Sequence, residues 1–420
     1  MIQNTSLAPA ENFVINYIIL RLPGSTSLEI TNELVSFAFF ETINDMIEGS
    51  ITIQNRANIS GLMSRFTGQE LIEISFASGK GKGNGNGIRS EYKKTFRCLS
   101  TELISDCSST SPTSYISIEL SSQFLAVNET NRISKFYDNT NPSFIVNDIL
   151  TNYASNFNVK VEETASIGKY SIGVTKPNDV ITDLLDVAIS TEFKSSDFRF
   201  FENRDGLNFV SMGSLMSVKP EFSFAVKTPN ESLNAGEGNT LNIEYLDAFW
   251  LNNSDNNYKD GTFGCNVTST SLIDQSFEFI KYDRSTLDKD RPLLNDNSTL
   301  YQYENVVDNM QTYNKNKLVS SDSIYNKLKD DHGAHKTAVS TLEKTRNDSK
   351  RIVIRSAGFT DITVGDIVGV NFLNIDNGNR VSSNININIS GNWIIIAIKY
   401  SVTLSNLSCE YTLMSDSNIK

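Results

Sequence analysis

His332 and His335 are the only imidazoles in a chain of 420 residues. Three residues apart, they would share one helix face and could hold one metal ion. No cysteine lies near them, and Asp330 and Asp331 read as ordinary surface acids, so no metal site is expected. Two histidines also leave little for a general acid–base or triad mechanism to use. Glycoside cleavage needs two carboxylates flanking a cleft. The chain has 49 acids, but none forms a spaced pair in a cleft motif, and they read as solvated surface groups. The run from Ser78 to Gly87, alternating Gly with Ser, Lys and Asn, suggests a phosphate loop. Its glycines all occupy odd positions, so G-x-G-x-x-G cannot occur within it, and no Gly-Lys precedes Ser or Thr. It reads instead as a flexible loop between hairpin strands.

Cys98, Cys107, Cys265 and Cys409 make neither a CxxC pair nor a zinc spacing. They read as small buried hydrophobes of a protein made in a reducing cytosol. The aromatic runs Phe37-Ala-Phe-Phe40 and Phe198-Arg-Phe-Phe201 could stack on bases, but such platforms interleave cations. The first run has none and the second only Arg199, so core packing is the reading. No catalytic residue, metal ligand or cofactor site is expected, and the chain reads as a non-enzyme.

Composition sets the class. At 39% hydrophobic and 20% charged residues the chain is globular and long enough for several cores. Its net charge of −12 argues against gripping nucleic acid by its phosphates, which needs a basic stripe. By composition alone the acidity reads as serving solubility. The 47 asparagines outnumber the 37 basic residues, through either an AT-rich genome or selection on the protein. No apolar run approaches the ~18 residues of a membrane span, and the start has no basic-then-apolar secretory pattern.

Alternation predicts strands at Phe13–Arg21, Leu34–Glu41, Ser50–Gln54, Glu70–Phe76, Tyr92–Ser100 and Ser114–Leu120. Six strands at short spacing suggest a closed barrel, because closure removes exposed edges. Asn141-Pro142 and Pro177-Asn178 open helices, with a strand at Val159–Val161 between them. Phe198 to Phe209 reads as a hairpin turning at Asp205-Gly206. Residues 230–260 look loop-like. Residues 300–349 read as helix with a thin stripe of Ile324, Leu328, Ala338, Val339 and Leu342, interrupted by Gly333. Strands return at Arg351–Arg355, Thr363–Phe372, Ile385–Ile389, Trp393–Val402 and Tyr411–Met414. The charged helix 318–349 is either a solvated peripheral element or a docking strut.

One stretch echoes another. Glu70-Leu-Ile-Glu-Ile-Ser-Phe76 and Asp366-Ile-Val-Gly-Val-Asn-Phe372 match position by position, with Gly68 and Gly365 just upstream. The match is either chance, since an acid followed by alternation commonly opens a strand, or the trace of a duplicated barrel.

Four ordered motifs carry a resemblance. These are Phe40-Glu41-Thr-Ile43 with Gly49-Ser-Ile-Thr-Ile53; Gly68-Gln-Glu70-Leu-Ile-Glu-Ile74; Phe193-Lys-Ser-Ser196 with Phe198 to Glu202 and Asp205-Gly206; and Thr363-Val-Gly365-Asp-Ile-Val368 with Gly391-Asn-Trp393. In this order the chain resembles the central baseplate hub proteins of contractile-tailed bacteriophages over roughly 35–415. The spacers at 79–87 and 250–349 are its own, so contacts made there do not transfer. The resemblance implies a β-dominated α+β fold, with two similar antiparallel β-barrels and smaller α/β domains inserted between them. The corresponding division is a flexible N-terminus (1–12), a first barrel (13–125), an α/β domain (126–195), a hairpin and the start of the second barrel (196–250), a mostly helical or irregular insertion (251–349) and the rest of that barrel (350–420). The motif positions with structural roles are Glu41, Gly49, Gly68, Glu70, Phe76, Glu202, Asp205, Gly206, Gly365, Asp366, Phe372, Gly391 and Trp393.

The resemblance also implies a homotrimer whose six barrels adapt a six-fold tail tube to a three-fold cell-puncturing spike. Expected partners are tail tube proteins, the central spike protein and baseplate wedge proteins. Double-stranded DNA would pass without specific binding, along a ring face expected to be net acidic. The implied location is the tail baseplate of the virion, after assembly in the host cytoplasm. The two lysines of the 79–87 loop are candidates for touching a neighbouring ring. The rival readings are the hub half of a bacterial contractile injection spike, which usually continues into further domains, a tail-associated cell-wall hydrolase, and a carbohydrate-binding adhesin.

Overall fold

The computed structural model describes residues 13–24, 27–55, 67–78, 91–106, 113–226, 240–250, 264–271, 276–283, 293–298, 315–320, 339–340, 342–344, 346–358, 360–375 and 381–419. Alternation with period two forms most of the first strands, burying one face, while β5 is buried on both faces from Ile72 on. They are β1 (Val14–Arg21), β2 (Ser27–Glu29), β3 (Leu34–Thr42), β4 (Glu48–Gln54), β5 (Leu71–Ala77), β6 (Glu91–Asp106) and β7 (Thr113–Ser122). Ile51 and Ile53, Ile72, Ile74 and Phe76, and Ile116, Ile118 and Leu120 are all buried on one face. The sheet order is β2-β1-β5-β6-β7-β4-β3.

The chain then changes period. Helix α1 (Gln123–Thr130) leads to β8 (Ile133–Thr140) and to α2 (Pro142–Tyr153). Asn141 caps α2 by accepting the Phe144 N–H, with Pro142 at its first position. Next come β9 (Val159–Val161), β10 (Gly168–Thr175), α3 (Pro177–Leu185), the hairpin β11 (Phe198–Asn203) and β12 (Gly206–Ser211), and α4 (Met212–Met216). The elements from α1 to the β11–β12 hairpin share a separate core built on Phe124, Ile145, Ile149, Ile181, Leu184, Phe198 and Phe209, while Met212 and Leu215 of α4 join the core of the strand groups.

A second strand group comes next: β13 (Phe222–Ala225), β14 (Thr240–Asn242) and β15 (Tyr245–Trp250). A side sheet holds β16 (Gly264–Ser271), β17 (Ser276–Asp283) and β19 (Lys315–Ser320), while β18 (Asn297–Ser298) lies apart. The group resumes with β20 (Lys350–Ala357), β21 (Ile367–Asn371), the small pair β22 (Leu373–Ile375) and β23 (Val381–Ile385), then β24 (Gly391–Val402) and β25 (Leu407–Ser415); β26 (Ser417–Asn418) pairs with β18.

The two groups have one connectivity. In chain order β13, β14, β15, β20, β21, β24 and β25 correspond to β1 through β7, and their sheet order is β14-β13-β21-β24-β25-β20-β15. That is the permutation of the first group, strand for strand. In each group one segment serves two neighbours. Residues 27–42 bond to β1 through β2 and to β4 through β3. Residues 240–250 bond to β13 through β14 and to β20 through β15, with Ile243 N–H donating to the Ala225 carbonyl and Glu244 N–H to that of Arg355, each at 2.9 Å. The groups differ in direction at one strand: β13 runs parallel to both neighbours, where β1 is antiparallel to both. The expectation of purely antiparallel pairing is corrected there.

The groups are not separate sheets. Strand β24 pairs with β21 through its first residues and with β3 through its last, which makes one sheet of fourteen strands over a single large apolar core.

Several expectations are corrected. Residues 230–260 contain the strands β14 and β15, and residues 300–349 contain the strand β19. Helix is present at residues 339–340, 342–344 and 346–347. That end is not solvated, since Val339, Leu342, Glu343, Arg346 and Asn347 are buried. The alternation at Ile385–Ile389 stops at Ile385, where Asn386 takes the Ser390 N–H on its carbonyl and the Asn388 N–H on its side chain to make a turn. His332, His335, Ile324, Leu328, Gly333, Ala338 and the 79–87 run lie outside the described residues. No helix among the described residues is long and apolar enough to cross a membrane.

Candidate functional site: the seam between two like strand groups

The echo read in the sequence is a repeated turn. Glu70 accepts the Thr67 N–H at 2.8 Å, and Asp366 accepts the Thr363 N–H at 3.0 Å. In both, a carboxylate closes a four-residue turn by satisfying the backbone three positions back. Gly68 and Gly365 each take a positive φ, of 79° and 94°, but sit at different steps of the turn. Burial alone would raise the Glu70 carboxyl. The donors from the turn outweigh it and hold the group below its ordinary value.

The strand entry beyond each turn also repeats. The Glu70 carbonyl takes the Cys98 N–H and the Asp366 carbonyl the Ile395 N–H, both at 3.0 Å. One residue further on, β6 bulges against β7 at Leu99, and β24 bulges against β25 at Ile396. Cys98 is therefore the counterpart of Ile395, and Leu103 that of Tyr400. Burial pushes the Cys98 thiol up to about 12, so the cysteine packs as a small hydrophobe and not as a nucleophile.

The seam is where β24 of the second group lies along β3 of the first, from Ala397 opposite Thr42 to Val402 opposite Phe37. Phe39 stacks on Tyr400 with ring centroids 4.2 Å apart, and Tyr92 lies 5.0 Å from Phe39 and 4.9 Å from Phe76. Close ring pairs of this kind contribute about 0.5–1.5 kcal/mol each beyond their area. Polar ties flank the rings. Ser78 Oγ donates to the Gly358 carbonyl at 2.7 Å, and Thr360 Oγ1 donates to the Ser78 carbonyl at 2.5 Å. The Arg204 guanidinium donates to the Thr360 carbonyl, and Asn203 Nδ2 to that of Val364.

Glu41 sits in the seam with no exposed surface. Tyr92 Oη donates to its Oε1 at 2.8 Å and Thr363 Oγ1 to its Oε2 at 3.1 Å, so it joins the two groups. Burial raises its carboxyl to about 7, although the two hydroxyls and the charges of Lys94 and Arg204 pull the other way. The folded chain therefore retains a proton that the unfolded chain releases. Stability from this group is whole below pH 4.5 and is lost as pH rises to about 7, by at most roughly 3 kcal/mol. Glu41→Gln removes the titration. Its urea midpoint is expected to change less between pH 5 and pH 8 than that of the unsubstituted chain, and an equal change in both proteins overturns the assignment.

Glu202, also fully buried, pairs with Lys94 at 2.7 Å, and Lys94 donates to the Asn203 carbonyl at 2.9 Å. Asp205 and Gly206 form the β11–β12 turn, where Asn203 Oδ1 accepts both their N–H groups. Phe76 is buried in the first group and Phe372 half-buried in the second. Gly49 in β4 lies opposite Phe39, and Gly391 lies opposite Val370. Trp393 is buried, with its indole N–H donating to the Ile389 carbonyl at 2.8 Å. Ser195 and Ser196, which end the Phe193–Ser196 motif, and the adjacent Asp197 wrap Glu343. The Ser196 and Asp197 N–H groups donate to its carboxylate at 2.6 and 3.0 Å, docking the helical residues near 343.

The structure thus brings Glu41 and Glu202 together around Tyr92 and Lys94. It also brings Asp205, Gly206, Gly365 and Asp366 around a shallow depression of about 250 Å³. Both groups of residues are engaged in structural bonds. Among the described residues no cluster of three or more His, Cys, Asp or Glu could hold a metal ion. Sequence reasoning missed Tyr92, Lys94 and Tyr400, and it quoted Thr363 within a motif without giving it a role. The repeated Thr-x-x-acid spacing was a visible signal for Thr363, whereas the others take their meaning only from distant partners.

These arrangements define a duplicated β-sheet protein with helical insertions. The whole chain aligns with the probable baseplate hub protein gp334 of Vibrio phage KVP40. The two are 27% identical over 432 residues, covering 100% of this chain and 98% of that protein. The motif resemblance to baseplate hub proteins therefore has a counterpart along the full length. Among solved structures the fold is similar to a tail protein from Neisseria meningitidis MC58, with a TM-score of 0.55, 12% identity and 96% of each chain covered. It is also similar to the 43 kDa tail protein of prophage MuSo2 from Shewanella oneidensis, with a TM-score of 0.53, 11% identity, and 95% of this chain and 98% of that one covered. No family model matches the chain.

Proposed function

We propose that the chain is a structural baseplate hub protein of a phage tail, working as a homotrimer and catalysing nothing. The observation that carries this reading is the doubled connectivity: two seven-stranded groups of one permutation in one polypeptide. Each group closes on itself as a β-barrel in this reading, through the segments 27–42 and 240–250 that serve two neighbours. Three chains then present six like modules, which seat on a six-fold tube while the trimer keeps the three-fold symmetry of a spike. The full-length similarity to gp334 supports the tail assignment.

The partners are tail tube proteins, the central spike protein and baseplate wedge proteins, in the virion baseplate after assembly in the host cytoplasm. DNA passes through the ring without being gripped, and the net charge of −12 suits a wall that does not pair with phosphates. In this reading the modules divide at 1–12, 13–125, 126–195, 196–250, 251–349 and 350–420, except that the 198–211 hairpin packs with the preceding α/β core, and the motif residues serve as ties within and between the modules.

Light scattering on the full chain, alone and with the spike protein, tests this proposal. A mass of three chains is expected, and a single-chain mass in both conditions overturns it. A peptidoglycan turbidity assay is expected to show no clearing, and lysis would move the assignment to a hydrolase.

A further inference from the structure

We infer that the second half of β6, Thr101 to Ser105, forms an antiparallel main-chain ladder with β15 of a second copy of this chain, with Leu103 opposite Ala248. The inference rests on the trimer reading and names the contact that joins its subunits.

Equivalence of the two strand groups locates the contact. Within the chain, β24 divides its outer edge, giving Ile367–Val370 of β21 to residues 391–394 and Phe37–Thr42 of β3 to residues 397–402. Its counterpart β6 gives its early residues, 91–97, to β5 in the same way. Beyond the bulge at Leu99, the described pairings of β6 are with β7 only, up to Asp106 opposite Thr113. The counterpart of β3 in the second group is β15, whose described pairing is with β20 alone. The in-chain seam thus has one symmetry-related seam, and its two edges are unpaired among the described residues. They lie in different strand groups, so joining them links a first group to a second group, as the in-chain seam does.

Burial agrees. Ile398, Tyr400 and Val402 are 0%, 0% and 2% exposed beneath β3. Leu103, the counterpart of Tyr400, is 57% exposed, and its neighbours Leu99 and Ile104 are 58% and 48% exposed. An edge strand carrying uncovered aliphatic residues is a template for pairing with another chain. The ladders already present set the register. Leu120 pairs with Gly49 and Gly49 with Phe39, while Leu413 pairs with Ile352 and Ile352 with Ala248. Phe39 therefore corresponds to Ala248 and Phe37 to Leu246. The in-chain pairs Tyr400–Phe39 and Val402–Phe37 become Leu103–Ala248 and Ser105–Leu246 between copies.

Paired cysteines test this in the full chain. Leu103→Cys with Ala248→Cys, or Ile104→Cys with Asp247→Cys, is expected to yield covalently closed trimers on a non-reducing gel, while each single variant does not. Charged edges supply an independent arm, since Leu103→Lys with Ile104→Lys is expected to lower the mass from three chains to one. Both sites are exposed, so the circular dichroism spectrum should stay unchanged. If the unsubstituted chain has a three-chain mass, yet neither cysteine pair cross-links and the lysines leave that mass intact, the ladder is overturned and the trimer stands. A single-chain mass for the unsubstituted protein, with no cross-link, overturns both.

Discussion

Gly206→Ala is expected to be among the most damaging single-methyl changes in the protein, costing about 3 kcal/mol or more. Gly206 begins β12 at φ 141°, a conformation that L side chains rarely adopt, and backbone strain of this kind costs about 1–3 kcal/mol. Space is the second term. A Cβ there would sit 2.9 Å from the carbonyl carbon of Asn158 and closer still to its oxygen. That oxygen accepts the Leu207 N–H at 2.9 Å, next to the parallel ladder between β12 and β9. The clash is therefore backbone against backbone, and relief means parting β9 from the hairpin. Gly68→Ala is the control, because Gly68 also has a positive φ, 79°, but nothing lies within 4 Å of its Cβ position; its expected cost is strain alone, about 1 kcal/mol. Urea denaturation of both variants separates the terms. Equal losses would show that strain, not the contact with Asn158, makes position 206 a glycine.

Glu202→Ala is expected to destabilise the chain by about 3–5 kcal/mol, the range for breaking a buried pair from one side. The Lys94 ammonium would lose its partner at 2.7 Å while keeping only 10% of its side-chain surface exposed. The Asn203 carbonyl would remain as its acceptor, too little to replace a carboxylate. Removing both charges, with Lys94→Met and Glu202→Leu, is expected to recover most of the loss, because apolar groups of similar volume replace a buried pair at little net cost. Denaturant midpoints of the single and double variants decide the matter. A double variant no more stable than Glu202→Ala would mean that the site needs polarity or shape and not charge balance.

Local pattern made much of the fold legible. Alternation located β1 and β3 to β7 within a few residues, except that β6 runs on to Asp106. Asn141-Pro142 and Pro177 located α2 and α3, and Gly206 the hairpin. These signals are readable because a strand's period, a helix cap and a positive φ depend on residues a few positions apart. Regions without such signals were misread. The Asn-rich stretch before Trp250 forms β14 and β15 because β13 and β20 supply the partners. The helical residues near 343 looked solvated, yet Glu343 is held by backbone N–H groups almost 150 residues earlier, at Ser196 and Asp197.

The candidate site divides in the same way. By itself the sequence determined the paired acids Glu70 and Asp366, the glycines beside them and the aromatic and aliphatic faces of the strands, since each is set by its own neighbours in the chain. Only the tertiary structure decided that β24 lies along β3, that Glu41 bridges Tyr92 and Thr363, and that Leu103 stands uncovered where Tyr400 is enclosed. The physical reason is that main-chain ladders are blind to side-chain identity. Which distant edges meet is settled by where the remaining strands have already placed them.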